Sequence, residues 1–345
     1  YAILDEAQHI KTPQSATAAA AKRLRSKKRL ALTGTPIENR LSEIWSIFDF
    51  VSPGLLGPLD RFEQRFAKPI EGGDYKAAQR LRATIHPFIL RRTKSEVAKD
   101  LPEKLETDQI CDLVGEQKHV YSEVLREVRA QVLGEVEKNG IGKSQIQILA
   151  GLTRLRQAAC DPRLLGLPKD FTNDDSGKLV ALRELLANAI EGGHKVLVFS
   201  QFVQMLNLVE KAVKEDGITY EYLDGSTKDR AERVERFQTD PGVGIFLISL
   251  KAGGTGLNLT AADTVIHFDP WWNPAVEDQA TDRAHRIGQS RVVSVYKLIA
   301  QGTIEEKILQ LKGKKRDLAA SVLSEDAGGA KKLTKADLED LFRVD

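Results

Sequence analysis

Two rhythms of apolar positions alternate along this chain of 345 residues. From Lys178 onward, short continuous apolar runs are separated by stretches whose apolar residues recur every three or four positions. The runs at 195–199, 219–223, 244–248, 264–268 and 292–299 read as buried strands, and 178–189 and 203–215 read as helices. Strands alternating with helices predict an α/β fold with a doubly wound parallel sheet. The first half has fewer runs. Residues 1–8 and 29–32 read as strands, and Ile44, Ile47, Phe48 and Val51 mark one side of a helix over 37–51. The segment SPGLLGP at 52–58 breaks that helix, and helical stretches return at 61–66 and 75–85. Two long helices, 113–137 and 144–159, flank a turn at Gly140 to Gly142. A flexible AGGAKK segment precedes a short helix capped by Thr334 and Asp337, with Leu338, Leu341 and Phe342 on its apolar side, packing back on the fold.

Three places carry candidate chemistry. The run YAILDEAQ delivers Asp5 and Glu6 to a strand exit, where ligands bind in open α/β sheets. Such a pair suits Mg²⁺ and an attacking water in a nucleotide hydrolase, or it is a strand end followed by a charged turn. Thr33, Gly34 and Thr35 leave the second run, where small hydroxyl residues can sense a phosphate. The third place is Ser249 to Gln289. Asn273 as N-cap, Pro274 at the first helical position and Gly288 as terminator predict one helix over 273–288. On it Gln279, Arg283 and Arg286 share a face, and two guanidinium forks fit phosphate oxygens. An ordinary solvated amphipathic helix is the alternative. Gly253, Gly254 and Gly256 upstream form a turn whose N–H groups could approach a nucleotide or a nucleic-acid strand.

Taken together, these segments resemble the Swi/Snf-type ATPase family of helicase superfamily two. DEAQ resembles its motif II, LTGTPIEN its motif III and VLVFSQF its motif IV. SLKAGGTGLNLTAAD with DPWWNP resembles motif V and its extension, and QATDRAHRIGQ resembles motif VI. The motifs run collinearly from Tyr1 to about Leu323; DEAQ and HRIGQ replace the DEAD and HRIGR of DEAD-box RNA helicases. LRQAACDPRLL and PIENRLSEIWSIFDFVSPGLLG look most like prokaryotic members, which implies a cytoplasmic, nucleoid-associated protein; a eukaryotic one would be nuclear.

The resemblance implies RecA-like lobes, with residues 1–88 as the C-terminal part of a first lobe carrying a helical insertion. It implies an inter-lobe linker at 89–110, a helical protrusion at 111–172, a complete second lobe at 173–323, and a linker with a terminal helix at 324–345. ATP and Mg²⁺ would meet Asp5 and Glu6, with Gln8, Gly34, Thr35, Gly254, Gly256 and Gln279 around the nucleotide. Arg283 and Arg286 would reach across from the second lobe, so that hydrolysis drives lobe closure. Ser200, Gln201, Ser226, Thr227, Lys251 and Trp271 would hold the phosphates of double-stranded DNA without reading bases, and DNA-bound proteins would be the targets. DGST is otherwise a plain turn, and of Trp271 and Trp272 at least one packs inside. No G-x-x-x-x-G-K-[ST] phosphate loop occurs, so the chain is expected to be the C-terminal part of a longer enzyme, inactive by itself.

Composition changes the picture little. With 51 basic and 49 acidic residues the formal charge is +2, so nucleic-acid binding would rest on local patches. KRLRSKKR at 22–29, RRTK at 91–94 and KGKKR at 312–316 are candidates, or solvated faces. Two cysteines, Cys111 and Cys160, are too few for a zinc cluster or a disulfide framework. No apolar run is long enough to span a bilayer, so no membrane partner is expected. Three readings stand: a double-stranded DNA translocase, a strand-separating DNA or RNA helicase, and a non-catalytic DNA-binding or scaffold module.

Overall fold

The computed structural model describes residues 1–34, 40–92, 94–253, 256–271, 274–309, 339 and 341–343. The chain divides into two compact units, Tyr1–Arg91 and a second beginning at Arg92.

In the first unit, β1 (Ala2–Leu4) pairs in parallel with β2 (Arg29–Ala31), placing Leu4 opposite Ala31. Helix α1 (Ala16–Lys22) starts at Ser15, whose hydroxyl accepts from the Ala18 N–H. Helix α2 (Leu41–Val51) buries Leu41, Ile44, Trp45, Ile47, Phe48 and Phe50. Ile47 and Phe50 join Ile10, Ala18 and Ala21 beneath the strand pair. The opposite side of α2 meets a helical layer of α3 (Leu59–Phe62), a wide turn at Glu63–Ala67, α4 (Lys68–Glu71) and α5 (Tyr75–Ile85).

The second unit opens with α6 (Lys94–Val97) and β3 (Lys104–Cys111). The stretch 104–110, expected as linker, is therefore the edge of a sheet. Its residues, with Lys104, Glu106 and Asp108 among them, are mostly exposed because only β8 pairs with it. Helices α7 (Gly115–Lys143) and α8 (Gln145–Cys160) form the protrusion, and the non-helical φ of 73° at Gly140 marks the expected turn. Val128 and Val132 face Gly151 so closely that a Cβ there would lie 2.6 Å from Val128 Cγ1. Helix α9 (Gly177–Glu191), β4 (Val196–Ser200), α10 (Val203–Glu215), β5 (Tyr220–Leu223) and α11 (Arg230–Thr239) follow. Next come β6 (Ile245–Ser249), α12 (Leu250–Gly253), β7 (Thr264–His267), α13 (Pro274–Thr281) and β8 (Val293–Ala300).

The six strands pair in parallel in the order β3-β8-β7-β4-β6-β5. β4, β6 and β7 are buried along their whole length, and separate apolar clusters cover the two faces of the sheet. From β4 the chain moves to β5 and β6 on one side, while β7 leads to β8 on the other. The crevice outside the carboxyl ends of β4 and β7 is thus a topological switch point, the position where open α/β sheets bind ligands. At the chain's end Leu341 and Phe342 are buried and Lys307 donates to the Arg343 carbonyl. The cap residues Thr334 and Asp337, and Leu338, lie outside the described residues.

Candidate nucleotide and nucleic-acid sites

At the C-terminal edge of β1 and β2, Asp5 is exposed and accepts the Glu6 N–H at 2.9 Å. Glu6 has φ 50° and ψ 50°, the single non-glycine residue with positive φ among those described. A left-handed L-residue costs about 1–2 kcal/mol, and such strain collects at functional sites. Its carboxylate accepts from Gln8 Nε2 at 2.7 Å, and Gln8 Oε1 accepts from Thr33 Oγ1 at 2.7 Å. Gln8 therefore links the acid pair to the second strand exit, where Gly34 is exposed. Among the described residues no three His, Cys, Asp or Glu side chains gather around a common point. A carboxylate pair such as Asp5 and Glu6 could take part in holding Mg²⁺, which commonly keeps phosphates and waters as its other ligands.

In the second unit the arginine segment departs from the sequence expectation. Helix α13 ends at Thr281, seven residues before Gly288, so Gln279 stands on the helix while Arg283 and Arg286 lie in the turns after it. Tertiary bonds draw this backbone out of helical register. Leu259 N–H donates to the Arg283 carbonyl at 3.0 Å, and the turns close through Ala284 to Thr281 and Gln289 to Arg286. The buried His267 ring meets Thr281 Oγ1 at 2.9 Å. Gly288, with φ 103°, ends the turn segment instead of the helix. Arg283 is buried and its Nε donates to the Gly253 carbonyl, and the half-buried Arg286 donates to Leu257. The two arginines thus knit the glycine-rich segment to the turn. Gly256 is exposed, with φ 46°. Thr35, Gly254, Trp272 and Asn273 lie outside the described residues.

Sequence reasoning missed what holds this turn. Lys94 Nζ donates to the His285 carbonyl at 2.6 Å and pairs with Asp282, and His285 Nε2 meets the Pro102 carbonyl at 2.8 Å. RRTK reads from sequence as a basic patch or a solvated face, and in the structure its lysine braces the arginine segment.

The strand exits differ in how they present their polar groups. Ser200 is buried, and its hydroxyl donates to Asp269 at 2.5 Å and accepts from Phe202 N–H. That hydroxyl is engaged within the protein and is not presented to a phosphate, as a DNA contact by Ser200 would require. Gln201 is half-buried and its Oε1 accepts from Arg156 at 3.0 Å. Asp224 accepts from both the N–H and the hydroxyl of exposed Ser226 and from Thr227 Oγ1. The Ser226 hydroxyl is the main cause of an Asp224 pKa held below the ordinary carboxylate value. Lys251 on α12 is exposed. Trp271 is half-buried against the sheet, its backbone N–H donating to Glu277 Oε1 at 2.6 Å. In the first basic patch Lys22 pairs with Asp49 and Arg29 donates to backbone carbonyls, leaving Arg23, Arg25, Lys27 and Lys28 exposed. The patch at 312–316 lies outside the described residues. Arg156 and Asp269 were not singled out; the one signal was an arginine on the buried side of α8, beside Leu152, Leu155 and Ala159.

Residues 1–164 match the SNF2-related domain and residues 177–288 the helicase conserved C-terminal domain. A Mycoplasma pneumoniae protein described as an uncharacterized ATP-dependent helicase is 43% identical over 99% of this chain and 32% of its own length. The TATA-binding protein-associated factor MOT1 of Saccharomyces cerevisiae is 35% identical over the whole chain and 21% of its own length. The chain therefore spans between 21% and 37% of the length of the curated relatives it matches. Among solved structures, the Sulfolobus solfataricus SWI2/SNF2 ATPase core in complex with dsDNA is 40% identical, with a TM-score of 0.57, over 98% of this chain and 72% of that one. Bacterial and archaeal proteins are thus among the most similar relatives, and the parallel six-stranded sheet is that of a RecA-like lobe. Its two domain matches and its likeness to the archaeal core show that this chain belongs to the SNF2-related ATPase family.

Proposed function

We propose that the chain is part of an ATP-dependent double-stranded DNA translocase that remodels protein–DNA complexes. The observation that carries this reading is the division of candidate chemistry between the two compact units. The linked carboxylates Asp5 and Glu6 belong to one, and the knitted arginines Arg283 and Arg286 to the other. A reaction that needed both sets would draw on both units, which would couple chemistry to movement.

ATP with Mg²⁺ supplies the phosphoryl group whose transfer to water drives the cycle. Asp5 would hold the metal, directly or through water, and Glu6 would orient the attacking water and accept its proton. Gln8 keeps the Glu6 carboxylate in place and ties it to Thr33. Arg283 and Arg286 would stabilise charge on the transferring group, with Gly34, Gly256 and Gln279 lining the nucleotide. Gln201, Ser226, Thr227, Lys251 and Trp271 would hold the duplex. The solved structure of the archaeal relative is itself a complex with double-stranded DNA, and a relative named for association with the TATA-binding protein supports DNA-bound proteins as targets. The nucleoid is the matching location for a bacterial or archaeal member.

Replacing Arg286 with Ala in the full-length enzyme should reduce DNA-stimulated ATP turnover by about 10³–10⁵, the worth of arginine fingers elsewhere, with duplex affinity held. Equal losses of turnover and affinity would assign Arg286 to DNA contact instead. The full-length enzyme should displace a triplex-forming strand without unwinding the duplex; unwinding would favour the strand-separating reading. Lacking a G-x-x-x-x-G-K-[ST] loop, the 345 residues alone should not hydrolyse ATP.

A further inference from the structure

The structure assigns Arg156, on the protrusion helix, a positioning role: it fixes the Gln201 amide and the Trp271 turn at the switch point for gripping the duplex backbone. The assignment rests on the translocase reading and names how its DNA grip is built.

Arg156 is 1% exposed and is among the largest fully buried side chains of the molecule. Its Nη1 donates to Gln201 Oε1 at 3.0 Å, while Nη2 donates to the Pro270 carbonyl and lies 3.5 Å from Asp269 Oδ2. The guanidinium carbon sits 5.7 Å from the ring centres of both Phe202 and Trp271. Asp269 in turn accepts from Ser200 Oγ and from the Gln201 N–H. One side chain thus joins α8 to the exits of β4 and β7, the two strands that flank the switch point.

Chemistry sets which amide atom faces the arginine. A guanidinium only donates, so the Gln201 atom meeting it must be the oxygen, and the amide nitrogen must point away. That nitrogen is buried and has no hydrogen-bond partner among the described residues. A buried donor left unsatisfied is costly, and an acceptor brought into the crevice, such as a phosphate oxygen, would relieve it. A planar fork meeting an amide, a carbonyl, a carboxylate and two ring faces is a task for arginine that an ammonium cannot copy. Filling the core needs none of this, because an apolar side chain of similar volume serves as well or better than a buried ion pair.

The test uses the full-length enzyme and follows the duplex concentration that half-saturates ATPase stimulation. Arg156→Lys should raise it by about tenfold, the loss expected of a charge-assisted hydrogen bond, while turnover at saturating DNA and KM for ATP hold. Gln201→Ala should raise it equally, and the double variant no further than either alone. Unchanged half-saturation in Gln201→Ala, additive losses, or a joint fall in turnover and ATP affinity in Arg156→Lys would each overturn the assignment. Gln201→Ala keeps the test decisive if Arg156→Lys fails to fold. A wild-type enzyme that DNA does not stimulate would sink the translocase reading, and this assignment with it; a stimulated wild type beside unaffected variants overturns the assignment alone.

Discussion

Glu6 shows how much one residue's surroundings can add to its type. A carboxylate at a strand exit is ordinary, but this one sits in the left-handed region and is tied through Gln8 to Thr33. Strain of this kind persists only where neighbours over-determine the conformation, and here Gln8 is one such neighbour. In the full-length enzyme Gln8→Ala should therefore lower kcat by about 10- to 100-fold, the usual cost of removing a group that orients a reacting one, with KM for ATP little changed. Steady-state kinetics at saturating DNA read this directly. An unaltered kcat would mean that the Glu6–Gln8–Thr33 chain merely closes the turn. The order DEAQ was legible; the bond joining Gln8 to a residue 25 positions away was not, because it depends on strand pairing.

At the scale of elements, legibility followed burial. VLVFS, IFLIS and TVIH lie in the sheet's interior, covered on both faces, so they carry unbroken apolar runs that announce strands. KLETDQIC is equally a strand, but as an edge it keeps charged side chains in solvent and reads as linker. Helix α13 departs from its sequence pattern for the converse reason. Its local signals extend to Gly288, while the bond from Leu259 to the Arg283 carbonyl ends the helix early, and no local pattern reports a tertiary bond. The edge strand has a measurable signature. Partial burial would raise the pKa of Glu106, but hydrogen bonds from Lys104 and Lys297 outweigh it and hold the group down at about 2. A carboxyl depressed on folding adds stability above its ordinary value of 4.5, and that stability is lost as pH falls toward 2. Thermal unfolding should thus show wild type ahead of Glu106→Gln at pH 6, with the gap closing between pH 4.5 and 2. A gap that does not vary over that window would rule out the ion pairs as its source.

For the molecule as a whole, 51 basic residues against 49 acidic ones leave no general attraction for a polyanion. Any grip on DNA must then come from a few exposed cations and from oriented neutral donors. Lys251 is one such cation, at the carboxyl end of β6 in the same strand-exit layer as Gln201. Contacts of this kind reach phosphates and not base edges, so duplexes of unrelated sequence and equal length should bind the full-length enzyme alike. Their affinity should fall linearly with salt on logarithmic axes, by about 0.9 for each phosphate neutralised. Because Lys251 would account for a single phosphate, Lys251→Ala should make that slope shallower by about one and weaken all sequences uniformly. Fluorescence anisotropy across a salt series measures both quantities. A sequence-dependent loss, or a slope unmoved by the substitution, would remove Lys251 from the interface and leave the grip to the oriented donors at the β4–β7 crevice.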